Sequence, residues 1–208
     1  MLRATSRLTA STFNPSKSFL SMPERPFWQK PHKLTLTDGA VVTLRPETAS
    51  DLEKVWEMFN SLSVETLRFI PGDYQRERIE GWFTCIDYEK ILPICAHVDT
   101  PKGPRIIATS TLAFHEPEIY RHKVTFGITV HDDYQNRGLG TQITRYMVDI
   151  ARAKGLKKVE LYVVTPNQRA IKVYERCGFL VEGLLRRNHW NPVRGEYGDD
   201  YVMGLLLD

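Results

Sequence analysis

Apolar positions along this chain recur with two periods, one of two residues and one close to four. They alternate with polar positions over 33–37 and 40–45 around Asp38-Gly39, a hairpin signature. After Pro46 the spacing lengthens, and Leu52, Val55, Trp56, Phe59 and Leu62 share one face of a helix over 50–62, with Ser50 as cap and Glu53 three residues on. Segments 63–68 and 76–86 predict further helix, separated by a turn at Pro71-Gly72. Segments 91–98 and 106–114 read as paired strands, and 124–130 as another. Leu139, Ile143, Met147 and Ile150 then line one face of a helix over 139–153 that Gly155 ends. Segment 159–164 is strand-like, and 179–185 and 201–207 predict two closing strands. No internal repeat or second-domain boundary interrupts this order, so the pattern predicts one α/β domain.

The chemistry concentrates where the strand over 124–130 meets the helix beginning at Leu139. The turn between them carries Gln135, Gly138 and Gly140. A glycine-rich turn there leaves backbone N–H groups unpaired at the positive end of a helix dipole, a natural seat for a diphosphate. The run Tyr134-Gln135-Asn136-Arg137-Gly138-Leu139-Gly140-Thr141 fits neither the dinucleotide-binding pattern nor the P-loop. It resembles the Q/R-x-x-G-x-G/A pyrophosphate loop of the GNAT superfamily of N-acetyltransferases, which use acetyl-coenzyme A. Downstream, Asn167, Ala170, Tyr174, Gly178 and Phe179 are similar to that superfamily's second cofactor-side motif. Asn167 and Tyr174 stand about two helical turns apart and so face one way. Taken singly these residues also suit a helix cap, core positions and a helix stop.

The resemblance implies a GNAT fold, α/β (α+β), with a mixed, mostly antiparallel sheet of about six to seven strands and helices on both faces. In that fold the strand before the loop splays from its neighbour and binds the pantetheine arm, here through Ile128, Thr129 and Val130. The diphosphate would sit in the loop led by Gln135, on the amides of Asn136, Arg137, Gly138, Leu139, Gly140 and Thr141, with the Arg137 side chain adding charge. Asn167 would bond the pantetheine arm, Ala170 would share its helix face, and Tyr174 would be the acid that protonates the leaving thiolate. The base departs from the family pattern. Relatives carry a glutamate early in the splayed strand, where this chain has Val124 and Thr125. A ribosomal-protein N-terminal acetyltransferase branch carries one five residues before the asparagine, where this chain has Tyr162. Glu116 and Glu118 remain as candidates just upstream of the strand, beside His115, with Glu160 on the strand face of Tyr162. A protonated alkylamine must shed a proton before it attacks, so a base is required, directly or through water.

Composition narrows the setting. At 208 residues with 42% apolar content the chain can bury a full core, and no apolar run approaches the length needed to span a bilayer, so it reads as a soluble protein without membrane contact. Cysteines 85, 95 and 177 are odd in number and lack metal-ligand spacing, and the histidines are scattered, so neither a disulfide framework nor a metal site is expected. A reducing, cytoplasmic compartment follows. Residues 1–33 hold six basic side chains against Glu24, a net +5, which leaves −2 for the remainder of a chain whose formal total is +3. Residues 1–32 are therefore expected to form a basic flexible arm before a single domain at 33–208. A docking arm, an organelle-import segment and a true start at Met22 all stay open. The arm's basic residues are too sparse to predict nucleic-acid binding. The run 182–187 with 199–203 is similar to the branch acting on ribosomal-protein N-termini and polyamines, whereas 63–69 resembles protein-lysine acetyltransferases. The expected partners are acetyl-coenzyme A and a primary amine, a protein lysine or N-terminus favoured over a small amine or polyamine. A homodimer is left open. A non-catalytic acyl-coenzyme A sensing module is the alternative from another class.

Overall fold

The computed structural model of the protein describes residues 26–70, 74–84, 86–192 and 195–207. The expected turn at Pro71-Gly72, Cys85, and the part of the arm that contains Met22 lie outside the described residues. The chain opens with the hairpin, β1 (His32–Thr35) and β2 (Val41–Pro46). Asp38 Oδ1 accepts the Ala40 N–H at 3.2 Å, and Gly39 takes φ 84°, an angle most side chains resist.

Helix α1 (Leu52–Asn60) is entered through a 3₁₀ turn at Ala49–Asp51, which moves its cap. The capping box is Thr48 with Asp51, not Ser50 with Glu53. Asp51 was the better partner because it also binds both terminal nitrogens of Arg45, each at 2.7 Å. Helices α2 (Val64–Leu67) and α3 (Arg76–Thr84) follow, then strands β3 (Ile91–Thr100), β4 (Gly103–Phe114) and β5 (Lys123–Val130). Next come α4 (Leu139–Ala153), β6 (Lys158–Val164) and α5 (Gln168–Arg176). Strands β7 (Leu180–Asn191) and β8 (Glu196–Leu206) close the chain as a hairpin longer than its apolar pattern suggests.

The described strands form one open sheet in the order β1-β2-β3-β4-β5-β6-β8-β7. Its eight strands exceed the six to seven expected, because both strands of the first hairpin join the sheet. Pairing is antiparallel except between β5 and β6, which are parallel. Adjacent residues on a strand point to opposite faces, and β3 shows the result. Ile94 and Ala96 join the core beneath α4 and α5, while Cys95 joins a second core under α1 and α3 with Val55, Met58, Phe59, Ile79 and Phe83.

Residues 27–32, expected within the arm, are docked. Trp28 packs on the first core, the Phe27 ring meets Tyr146 edge-on at 5.7 Å, and His32 stacks on Tyr146 at 4.8 Å. The folded body thus begins before Lys33.

Candidate active site

The site arises from a failure of pairing. Strand β5 pairs with β6 only at Lys123–Lys158, Val124–Val159 and Thr125–Glu160. On its other side it stays paired with β4 as far as Val130 with Ala108. From Phe126 to Val130 the β6-facing edge of β5 therefore has no strand partner, and backbone groups in that state seek hydrogen bonds elsewhere. A cavity of about 700 Å³ occupies the gap, floored by β4 and β5 and walled by the loop after β5, by α5, and by α1 to α3.

The loop is built as its glycines require. Gly138 takes φ 81° as the residue before α4, and Asn136 also takes a left-handed angle, φ 58°. The first N–H groups of α4, from Leu139, Gly140 and Thr141, have no acceptor within the helix, and Gly138, Gly140 and Thr141 line the cavity. A Cβ at Gly140 would meet nothing within 4 Å, so glycine there keeps the amides approachable. Dipole, free amides and cradle together suit a diphosphate, with the β5 edge available to an amide-bearing arm. Gln135 lines the cavity as a strut: its side-chain amide donates to Val130 O at 2.9 Å and Thr66 Oγ1 at 3.0 Å. The Arg137 side chain does not stand free for a phosphate. Its guanidinium is ion-paired with Asp38, donates to Asp133 O at 3.1 Å and lies 4.8 Å from the Tyr134 ring centre.

Across the gap, Asn167 caps α5, its Oδ1 accepting the Ala170 N–H at 3.1 Å. Asn167, Ala170 and Tyr174 all line the cavity, as do Ile128, Thr129 and Val130. The cap and a cavity-lining position are thus one and the same at Asn167. Tyr174 is buried between the rings of Phe126 and Phe179, at 6.3 and 6.0 Å. Burial pushes its hydroxyl well above the ordinary tyrosine value, so it holds its proton at neutral pH.

The candidate bases are not brought together. Glu116 is exposed and bound to Lys90 at 2.8 Å, Glu118 is exposed in a 3₁₀ turn, and neither lines the cavity. Tyr162 does line it, half exposed on β6. Glu160 is buried outside the cavity lining, held by Lys123 Nζ at 2.8 and 2.9 Å. The carboxylate that does reach the cavity is Glu47, which the sequence did not single out. It follows β2 directly, and burial, reinforced by Asp51 against the opposing pull of Arg45, pushes its pKa up to about 8. No local motif marks it; its place depends on its N–H bonding Pro93 O at 3.0 Å across the sheet. Among the described residues no group of three or more His, Cys, Asp or Glu could hold a metal ion. No helix there is long and apolar enough to cross a membrane.

Comparison with known proteins gives the geometry a context. The model of the acetyltransferase (GNAT) family matches residues 56–179. The [ribosomal protein bS18]-alanine N-acetyltransferase of Salmonella typhimurium is 35% identical over 82 residues, which cover 39% of this chain and 54% of that relative. The chain thus spans about half the length of that curated relative. The spermidine N(1)-acetyltransferase of Escherichia coli is 26% identical over 164 residues, covering 75% of this chain and 81% of that protein. Among solved structures, Mycobacterium smegmatis RimJ in complex with CoA-disulfide superposes with a TM-score of 0.71 at 18% identity, over 86% of this chain and 88% of that one.

Proposed function

The chain belongs to the acetyltransferase (GNAT) family, and on that premise we propose that it is an acetyl-coenzyme A dependent N-acetyltransferase acting on a primary amine. One observation carries the reading: β5 parts from β6 directly beside a loop of free helix-terminal amides, so one cavity offers both a strand edge and a diphosphate seat. Acetyl-coenzyme A supplies the acetyl group as an activated thioester. In this reading the β5 edge at Ile128, Thr129 and Val130 orients the pantetheine arm, with Asn167 facing it. The amides from Asn136 to Thr141 hold the diphosphate, and Tyr174 gives a proton to the departing sulfur.

For the acceptor, an amine on a protein, a lysine or an N-terminus, is favoured over a small amine or polyamine. The alanine acetyltransferase and spermidine acetyltransferase relatives support both readings in outline. A cytoplasmic setting suits the free thiols of Cys95 and Cys177.

Calorimetric titration with acetyl-coenzyme A, followed by thiol release against a panel of peptides and amines, tests the proposal. Binding with acceptor-dependent release is expected. Binding without release across the panel favours a sensing module, and absence of binding overturns the cofactor reading.

A further inference from the structure

Glu47 is 6% exposed and lines the cavity, and its Oε1 has no hydrogen-bond partner among the described residues. Its backbone is held on both sides: the N–H donates to Pro93 O at 3.0 Å, and the Tyr88 hydroxyl donates to Glu47 O at 2.5 Å. The charged and titratable groups that bear on it are Arg45, Asp51, Tyr88 and Cys95. Arg45, the one cation among them, is committed to Asp51 through two 2.7 Å bonds. A carboxyl fixed in place and left unsatisfied inside a cavity calls for a ligand, and its chemistry calls for a cation.

The surroundings define which cation. Pro93 pairs with Thr111 and Thr111 with Gly127, so Glu47 stands on the same floor as the cofactor strand, three strand spacings of about 4.8 Å away. Thr111 Oγ1 lies 3.3 Å from where a Cβ at Gly127 would be, so a hydroxyl stands between the two ends. Above this floor Phe59 stacks on Tyr74 at 4.9 Å, and Trp82 meets both edge-on at 5.7 and 6.0 Å. Phe59, Tyr74 and Trp82 all line the cavity, and the lining holds one carboxylate against Arg169 and Arg176. A single acid and an aromatic wall suit one ammonium on an apolar body. They do not suit a chain of several ammonium groups.

We propose that Glu47 receives the ammonium of the acceptor and takes its proton, and that the Phe59–Tyr74–Trp82 wall selects an amine carried on an apolar, above all aromatic, body. The inference rests on the transferase reading above. The ammonium gives one proton to the Glu47 carboxylate, and its freed lone pair forms the C–N bond as the thioester C–S bond breaks. Tyr174 protonates the departing thiolate and is reprotonated by the second proton lost from nitrogen, and Glu47 returns its proton to solvent.

The test is calorimetry at pH 7 on the protein saturated with coenzyme A, titrated with 2-phenylethylamine, a phenylalanyl peptide amide or spermidine in two buffers of different ionisation enthalpy. Either aromatic amine should bind with release of close to one proton, because the empty carboxyl is protonated and must ionise against an ammonium. The peptide arm separates a protein N-terminus from a free amine as the source of this chemistry. Glu47→Gln, isosteric with the protonated form, should lower the amine affinity at least tenfold and abolish proton release while coenzyme A affinity holds and the melting temperature at pH 6 does not fall. Trp82→Ala should weaken the amine about tenfold and leave proton release unchanged. Silence from both aromatic amines, binding without proton release, an unaffected Glu47→Gln variant, or tighter binding of spermidine overturns the proposal. Failure to bind coenzyme A overturns the transferase reading beneath it.

Discussion

Thr125 and Glu160 form the last parallel pair between β5 and β6, and the cleft begins one residue beyond them. The Glu160 carboxylate is buried and chelates Lys123 Nζ at 2.8 and 2.9 Å, so an ion pair closes the seam from which the strands part. Glu160→Ala should leave the partly covered Lys123 ammonium without its carboxylate and destabilise the fold by about 1–2 kcal/mol, read from urea unfolding. Glu160→Gln should cost less. An unchanged unfolding midpoint in the alanine variant would remove this pair from any part in fixing the seam.

Gly138 and Gly140 should fail in different ways. Gly138 sits at φ 81° with Thr37 and Gln142 atoms beyond 3.4 Å, so its constraint is the backbone angle and not space. Gly138→Val should lower both stability, by about 1–2 kcal/mol, and coenzyme A affinity. Gly140 has ordinary helical geometry and open space at its Cβ position, so Gly140→Leu, larger than the alanine that the Q/R-x-x-G-x-G/A pattern allows there, should keep the melting temperature while weakening coenzyme A at least several-fold. Equal affinity in the Gly140→Leu protein would mean that the diphosphate lies elsewhere.

Much of this was legible in local sequence and some of it was not. The loop, the α4 stripe and the Asn167-to-Tyr174 face are contiguous signals, and the structure places the loop and the Asn167-to-Tyr174 face around one cavity and the stripe in the core behind it. The cap of α1 was misplaced because Ser50 and Glu53 satisfy the local pattern, whereas Asp51 wins through Arg45 on the neighbouring strand. The charge of Arg137 looked available for a phosphate because its partner, Asp38, belongs to the first hairpin, far back in the chain. Glu47 was invisible for the same reason: its burial comes from sheet register and from helices packed over it, which no window around Pro46 reports.

Tyr174→Phe separates acid catalysis from packing. The ring supplies the contacts with Phe126 and Phe179, which phenylalanine keeps. Stability and coenzyme A affinity should hold, while turnover with any working acceptor falls about 10²-fold if the hydroxyl protonates the leaving sulfur. Rapid-quench measurement of the acetyl-transfer step would reveal it, and an unchanged rate would leave the hydroxyl without a chemical role.

Asp132 ties the loop to α2, accepting from Ser63 N at 2.9 Å and from Ser63 Oγ and Thr66 Oγ1 at 2.6 Å each. Partial burial alone would raise its pKa, but these bonds outweigh it and hold the carboxyl at about 2, below its ordinary 3.8. A depressed acid stabilises the fold above its unfolded value, and that stability drains away as pH falls from about 3.8 to about 2. Hydrogen exchange in α2 should accelerate through that window. In Asp132→Ala it should be fast throughout, and an unchanged profile would show that Asp132 does not set it.

Glu47 reverses that sign. Its folded pKa of about 8 lies above the ordinary 4.5, so between those values the folded protein binds a proton that the unfolded chain has released. Stability of the empty protein should therefore decline as pH rises from 4.5 through 8, by no more than about 5 kcal/mol at the conversion of 1.36 kcal/mol per pKa unit. Glu47→Gln carries no such group, so it should lack this decline and exceed the parent by a margin that grows from pH 4.5 to 8. The difference in unfolding free energy between the two, measured by urea titration from pH 5 to 8.5, reads the burial of this one carboxyl without any substrate. Parallel curves would mean that solvent already reaches the group, and the aromatic pocket would then have no unsatisfied acid to offer an amine.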